Sequence, residues 1–405
     1  MESGQELLHS FLNKWVPPWV IVWGWESTVD YRFSVSPGEL ASFGLLHDGS
    51  DDESGVSQAF FSRVVNTIQH KLGRVAIQGP GGSPLLSALA VNQLRGWNPQ
   101  LAIPEPIFWG ICPPLVRVLA QESDWSHLLR YTIIEPRIVG SLCLECHDRS
   151  VRQVLSVFEG RDLNRQVSRK LARTLYRILT DYEDSCVVLG IGGVNKSAPQ
   201  ELKAQISLFR SSVTRPHIVF ITTNSFSPIL RLKNRDTLME DYLDLLRLAD
   251  VVSMSAEELC QMAQWSGLSS SREGLYSLLR GLKLPGLAIC HHRYGSAISA
   301  GNHLLTKEAK STLKDVLSIA TLGMLQYCQD GVTLLGQPTE GFFKGQQLTG
   351  SEFEEVFGLS SSDQCAVPSP SLISSVSVRL TGLGARFDGY LSVLLTRVWQ
   401  WLVRK

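Results

Sequence analysis

Short runs of β-branched and aromatic residues recur along this chain, each followed by a segment with helical apolar spacing. PPWVIVWGW at 17–25, CVVL at 186–189, HIVFIT at 217–222, VVSM at 251–254 and LAIC at 287–290 are short enough for strands. They are also too continuously apolar to leave one face in water, which is the signature of strands covered on both sides. Between them the spacing predicts helices over Val56–Lys71, Leu85–Arg95, Val167–Tyr182, Asp236–Leu248, Ala256–Gln264 and Phe387–Val403. Buried strands alternating with amphipathic helices fold into one mostly parallel sheet with helices on both faces, so the expected class is doubly wound α/β.

Two stretches break the rhythm. Gly44–Gly55 is polar and turn-rich and is read as a surface loop. Pro99, Pro104, Pro106, Pro113, Pro114 and Pro136 crowd one segment of short extended pieces. A small lid subdomain is therefore expected, inserted from about 30–50 and 98–165 into a single domain of 1–405. Further strands are expected at Arg74–Ile77, running into a glycine turn from Gly79 to Pro84, and at Ser375–Leu380.

Lys plus Arg and Asp plus Glu both number 38, so no global field draws the chain to nucleic acid or to anionic lipid. The expected partners are small molecules. Val16–Trp25 is the longest apolar stretch near the start and contains two prolines, whereas a membrane span needs about 20 apolar residues, and no secretory pattern precedes it. A cytoplasmic protein is expected. Its eight scattered cysteines suit reduced thiols. Cys143-Leu144-Glu145-Cys146-His147 has the form of a haem attachment site but is read as the edge of a β-strand, and no second ligand pair at zinc spacing accompanies it.

The chemistry concentrates in TGLGARFD at Thr381–Asp388, a glycine-rich strand-to-helix junction. Exposed backbone N–H groups at a helix N-terminus stabilise an anion or a transferring phosphoryl group. Asp388 follows three residues after Ala385, on nearly the same helical face; it either accepts a proton through a water or favours its helix N-terminus electrostatically. Gly190-Ile191-Gly192-Gly193 lacks the spacing of a dinucleotide fingerprint, and the NAD reading is discarded.

In this context the 381–388 segment resembles the anion-hole motif of the ribokinase-like kinases, Gly-X-Gly-Asp after a late strand. IVWGWESTVD at 21–30 resembles the family's first strand with its sugar-contacting aspartate, here Asp30. Gly81-Gly82-Ser83 resembles the Gly-Gly-Asn sugar turn, VVSMSAEEL at 251–259 the Asn-X-X-Glu segment that orders magnesium, and LAICHHRYGSAIS at 287–299 the strand leading to the nucleotide pocket. The length, the Leu within Gly382-Leu383-Gly384 and the motif order make the sequence most similar to the ADP-dependent glucokinase/phosphofructokinase family, over roughly residues 18 to 400.

That resemblance implies a ribokinase-like sheet with helices on both faces and a lid, and phosphoryl transfer from ADP, with Mg2+, to glucose or fructose 6-phosphate. It implies Asp30, Gly81, Gly82 and Ser83 for the sugar and Gly382 and Gly384, with Asp388, for catalysis. It further implies His292, Arg293 and Leu383 for the nucleotide, with His291 beside them, and Glu258 for the metal. Glu258 equally suits a helix start capped by Ser255. Four positions depart from the family pattern: Ala385 stands where the catalytic aspartate is expected, Ser83 and Ser255 replace asparagines, and His217-Ile218-Val219 lacks the carboxylate of His-X-Glu. The loss of the base raises the alternative of a catalytically inactive ribokinase-fold protein that binds a ligand or regulates a partner.

Overall fold

The computed structural model describes residues 11–13, 16–44, 52–97, 102–136, 140–146, 151–157, 165–193, 199–230, 233–268, 274–292, 295–300, 307–330, 366–368 and 383–399. Its strands are β1 (Trp19–Trp25), β2 (Thr28–Ser34), β3 (Asp52–Val56), β4 (Ile77–Gly81), β5 (Glu105–Cys112), β6 (Tyr131–Ile134), β7 (Ser141–Cys146), β8 (Val151–Val157), β9 (Cys186–Gly192), β10 (His217–Thr222), β11 (Val251–Ser255), β12 (Leu287–His292), β13 (Gly295–Ala300) and β14 (Ala366–Pro368). The helices are α1 (Pro37–Ser42), α2 (Gln58–Asn66), α3 (Ser83–Trp97), α4 (Pro114–Glu122), α5 (Arg165–Asp181), α6 (Pro199–Ser212), α7 (Ser227–Leu230), α8 (Arg235–Leu246), α9 (Ala256–Trp265), α10 (Leu275–Gly281), α11 (Lys307–Asp330) and α12 (Leu383–Thr396).

The main sheet runs β14-β13-β12-β11-β10-β9-β1-β5-β6. β12 through β6 in this order pair in parallel, and β13 and β14 extend one edge antiparallel. One face carries α3, α4, α11 and α12, whose buried residues share a core with Trp19, Ile21 and Trp23 of β1. The other carries α5, α6, α8, α9 and α10, packed on Val20 and Val22. The two-sided cover expected from the continuous apolar runs is thus observed, and the alternation along β1 feeds both cores at once.

Centring a tryptophan-rich strand imposes glycines on its neighbours. A Cβ at Gly190 of β9 would collide with the Trp23 ring, and one at Gly24 would lie 2.5 Å from Trp109 of β5. Each indole lies flat across a bare stretch of adjoining backbone, which is why the Gly-Ile-Gly of 190–192 sits inside a strand and not in a turn.

The lid is a second sheet, β3-β8-β7-β2-β4, with α1 and α2 closing its own core of Phe33, Leu40, Phe61, Leu142 and Leu155. Its boundaries differ from those read from proline density. β5, α4 and β6, within the proline-rich 98–140, belong to the main sheet because the prolines there cap strands and start a helix. Asp52–Val56 within the expected loop is a lid strand pairing with β8. Gly79-Pro80-Gly81 forms strand and not turn, while Cys143–Cys146 closes strand β7, as read, with His147 outside the described residues. The last helix begins at Leu383, inside the expected Gly382–Gly384 turn and ahead of the expected Phe387. The strand expected at 375–380 lies outside the described residues.

Gly190→Ala is expected to cost about 1–3 kcal/mol in urea unfolding, because the ring it meets is fully buried and cannot yield. Gly96→Ala, near the end of α3 with nothing within 4 Å, is expected to be neutral or slightly stabilising. Equal losses at the two positions would exclude the packing account.

Candidate active site

In open α/β sheets ligands collect at the carboxyl ends of the strands where the strand order reverses. Here β1 is flanked by β5 and β9, and its chain passes through buried Glu26 and Ser27 straight into lid strand β2. The start of α3 is pressed into this point. A Cβ on Gly192, at the end of β9, would lie 2.9 Å from both Pro84 and Thr222 and 3.2 Å from Ser83. Gly82 has φ +84° and would place a Cβ 2.8 Å from the Glu26 carbonyl, so only glycine serves both the left-handed turn and the close approach. Ser83 Oγ donates to Asn224 Oδ1 at 3.2 Å, tying the start of α3 to the loop after β10.

Asp30 is buried on β2, where its Oδ1 accepts from Thr28 Oγ1 at 3.4 Å. Its carboxylate lies over Gly81 of the neighbouring β4, in the space a side chain there would fill. The aspartate, the two glycines and Ser83 expected at the sugar site therefore come together at the hinge between lid and body.

α12 runs beside α3 in the same direction, and every residue from Ala385 to Val398 is buried. Gly389 permits the approach, since a Cβ there would lie 2.6 Å from the Ser87 carbonyl, and Ser87 Oγ donates to the Ala385 carbonyl at 2.8 Å. Both helix N-termini thus face the carboxyl ends of the sheet, where their dipoles favour an anion. Gly384 is covered by the His291 imidazole, which would come within 2.9 Å of a Cβ at 384 and contacts the Phe387 ring at 5.2 Å. Ala385 presents a methyl group at the expected position of the base.

Asp388, one turn deeper, is completely buried and points toward Ser253 and Thr222. The two hydroxyls stand beside the carboxylate without completing hydrogen bonds of good geometry to it. Burial pushes its pKa up to about 7; the hydroxyls of Ser253 and Thr222 oppose that rise, and the nearby Glu258 charge adds to it. With no exposed surface, Asp388 reaches the cleft only through its neighbours. Glu258 itself is engaged in a capping box: its Oε2 accepts from Ser255 N at 2.8 Å and from Thr223 Oγ1 at 2.7 Å, while Ser255 Oγ accepts from Glu258 N at 3.2 Å.

Among the described residues no three His, Cys, Asp or Glu side chains come together as metal ligands, and Val219 is an apolar core residue. Among the described residues there is thus no cluster of acids that would hold magnesium by itself. The paired starts of α3 and α12 do favour an anion at this end of the sheet. His292 ends β12, Leu383 opens α12, and Gly382 and Arg293 lie outside the described residues. Asn224, Glu26, Ser87, Thr222 and Ser253 escaped the sequence reading. Only the first two carry a signal, as polar residues directly after a buried strand.

No protein-family model matches the chain, and no curated protein matches it. Solved structures do. The chain is similar to a last common ancestor of ADP-dependent phosphofructokinases from Methanosarcinales, with a TM-score of 0.61, 11% identity and 97% of each chain covered. A hypothetical ADP-dependent phosphofructokinase from Pyrococcus horikoshii OT3 superposes with a TM-score of 0.58 at 14% identity, covering 95% of this chain and all of that one. A phosphofructokinase from the same organism, in a structure with AMP, gives 0.57 at 12% identity, with 95% and 100% covered. The fold is the ribokinase-like α/β fold with an inserted lid, as the motif order implied. The likeness to the ADP-dependent phosphofructokinases extends over nearly the whole chain, body and lid together.

The buried carboxyl has a measurable consequence. The folded pKa of Asp388 lies above its unfolded value, so the native state retains a proton that the unfolded chain releases between about pH 4 and 7. Its contribution is neutral below pH 4, grows unfavourable between about pH 4 and 7, and is constant above that. Asp388→Asn is expected to stabilise the protein at pH 8 relative to wild type by on the order of 2–4 kcal/mol, with the gain vanishing near pH 4. Parallel stability profiles for the two proteins would show that Asp388 does not titrate in this window.

Proposed function

We propose that this chain is a sugar kinase-like protein that binds a nucleotide and a hexose or hexose phosphate between the body and the lid. The observation that carries the reading is the meeting of two helix N-termini with Asp30, Ser83 and Asn224 at the strand-order reversal. In this reading Asp30 and Ser83, with the bare backbone of Gly81 and Gly82, hold acceptor hydroxyls. Gly382, Leu383 and Gly384 cradle the transferred phosphoryl of ADP, and His292 and Arg293 face the nucleotide. Magnesium would arrive on the nucleotide, since among the described residues Glu258 alone is expected toward it.

Phosphoryl transfer depends mostly on positioning and charge stabilisation, so a cleft with its anion hole retained supports slow turnover without a base at 385. Asp388 serves there as an indirect proton acceptor through Thr222 or Ser253. The second reading, a binding protein without turnover, is favoured by one observation: the methyl of Ala385 occupies the position where the base is expected.

Coupled assays with ADP or ATP and magnesium, against glucose and fructose 6-phosphate, separate the two readings. Slow wild-type turnover is expected, and Ala385→Asp is expected to raise it by about 10²–10⁴-fold, the usual worth of a positioned base. Ligand-induced stabilisation by ADP without turnover in either protein would establish the binding reading. Neither binding nor turnover would remove both.

A further inference from the structure

The outer face of α5 concentrates positive charge in a chain whose formal net charge is zero. Val167, Leu171, Leu175 and Ile178 face the sheet, and Arg169, Lys170, Arg173, Tyr176 and Arg177 are exposed on the opposite side. Arg169, Arg173 and Arg177 recur at i, i+4, so their side chains rise in a row at about 6 Å intervals. Arg130, from the turn before β6, joins the row: it and Arg177 stack on the Tyr131 ring at 5.0 and 5.8 Å.

Asp181 is the acid on this face, and it is shared by Arg130 at 3.5 Å and Arg177 at 3.8 Å, leaving most of the charge uncompensated. Among the described residues Arg169, Lys170 and Arg173 form no ion pair. Tyr176 stands 65% exposed in their midst.

We propose that this face, on the outer side of the helix layer, docks an acidic protein segment. Three features select that partner. Arginine binds carboxylates in a bidentate fork, and a row at helical spacing matches a row of Glu or Asp on a partner helix. Arginine and tyrosine are the residues that dominate protein interfaces, and stacking on Tyr131 fixes two guanidinium groups in advance. The apolar side of α5 is spent on the sheet, so the helix has nothing to insert into a bilayer.

The test uses the full chain with fluorescein-labelled poly-L-glutamate in an anisotropy titration at low salt. Vesicles containing phosphatidylserine and a single-stranded oligodeoxynucleotide serve as comparison probes. Saturable binding to polyglutamate is expected, weakening with added salt and falling by about tenfold or more in Arg169→Glu/Arg173→Glu. Arg235→Glu/Arg247→Glu, which changes the net charge equally on another face, is expected to bind as wild type does. Absence of saturable binding, equal loss in both double variants, or tighter binding to the vesicles or the oligonucleotide would overturn the proposal.

Discussion

α12 has no solvent-facing side, and much of the cleft depends on that. Its residues from Ala385 to Val398 are enclosed by α3, α11 and the ends of β1, β9, β10 and β11. A helix packed all round has one seating, because interiors are as dense as molecular crystals and tolerate little sliding. That seating aligns the N-terminus of α12 with that of α3, through Gly389 against Ser87 and the Ser87–Ala385 hydrogen bond. The anion-favouring end of the cleft is therefore a by-product of core packing, which helps explain how glycine backbone can remain in place when polar side chains have changed.

The polar chemistry has moved inward relative to the pattern the motifs resemble. The carboxylate on this face of α12 is not at 385, beside the cleft, but at 388, in the interior, where its ionisation is opposed by burial and by Glu258. Glu258 in turn is held by its own helix start and by Thr223. Glu258 thus serves first the architecture under the cleft. A buried carboxyl with only two hydroxyls beside it is costly when charged, and near neutrality Asp388 is poised between a proton and a charge.

The doubly wound sheet was legible because five of its strands are continuous apolar runs, and being buried on both faces leaves no other composition open to them. The lid is less legible because its strands are short, and the prolines crowding 98–140 lie in and beside β5 and at the start of α4, in the main body. At the site, Asp30, Gly81, Gly82 and Ser83 could be read from local order and are brought together by the hinge. Ser87, Thr222 and Ser253 could not, because a small hydroxyl in a buried segment looks like filler until the fold sets a carboxyl opposite it.

The same packing logic separates the two surfaces of this molecule. A residue at the cleft is constrained by what lies behind it: Gly384 by His291, Gly192 by Pro84 and Thr222, Gly81 by Asp30. Residues on the outer face of α5 have no such constraint, and an exposed helix face with free choice would ordinarily mix signs for solubility and for i, i+4 pairing. There, Arg169, Arg173 and Arg177 repeat one sign along one line, which leaves Arg169 and Arg173 without local pairing and long-range attraction as their physical effect. Charge arranged against the helix's own interest is intelligible when the compensating charge belongs to another molecule.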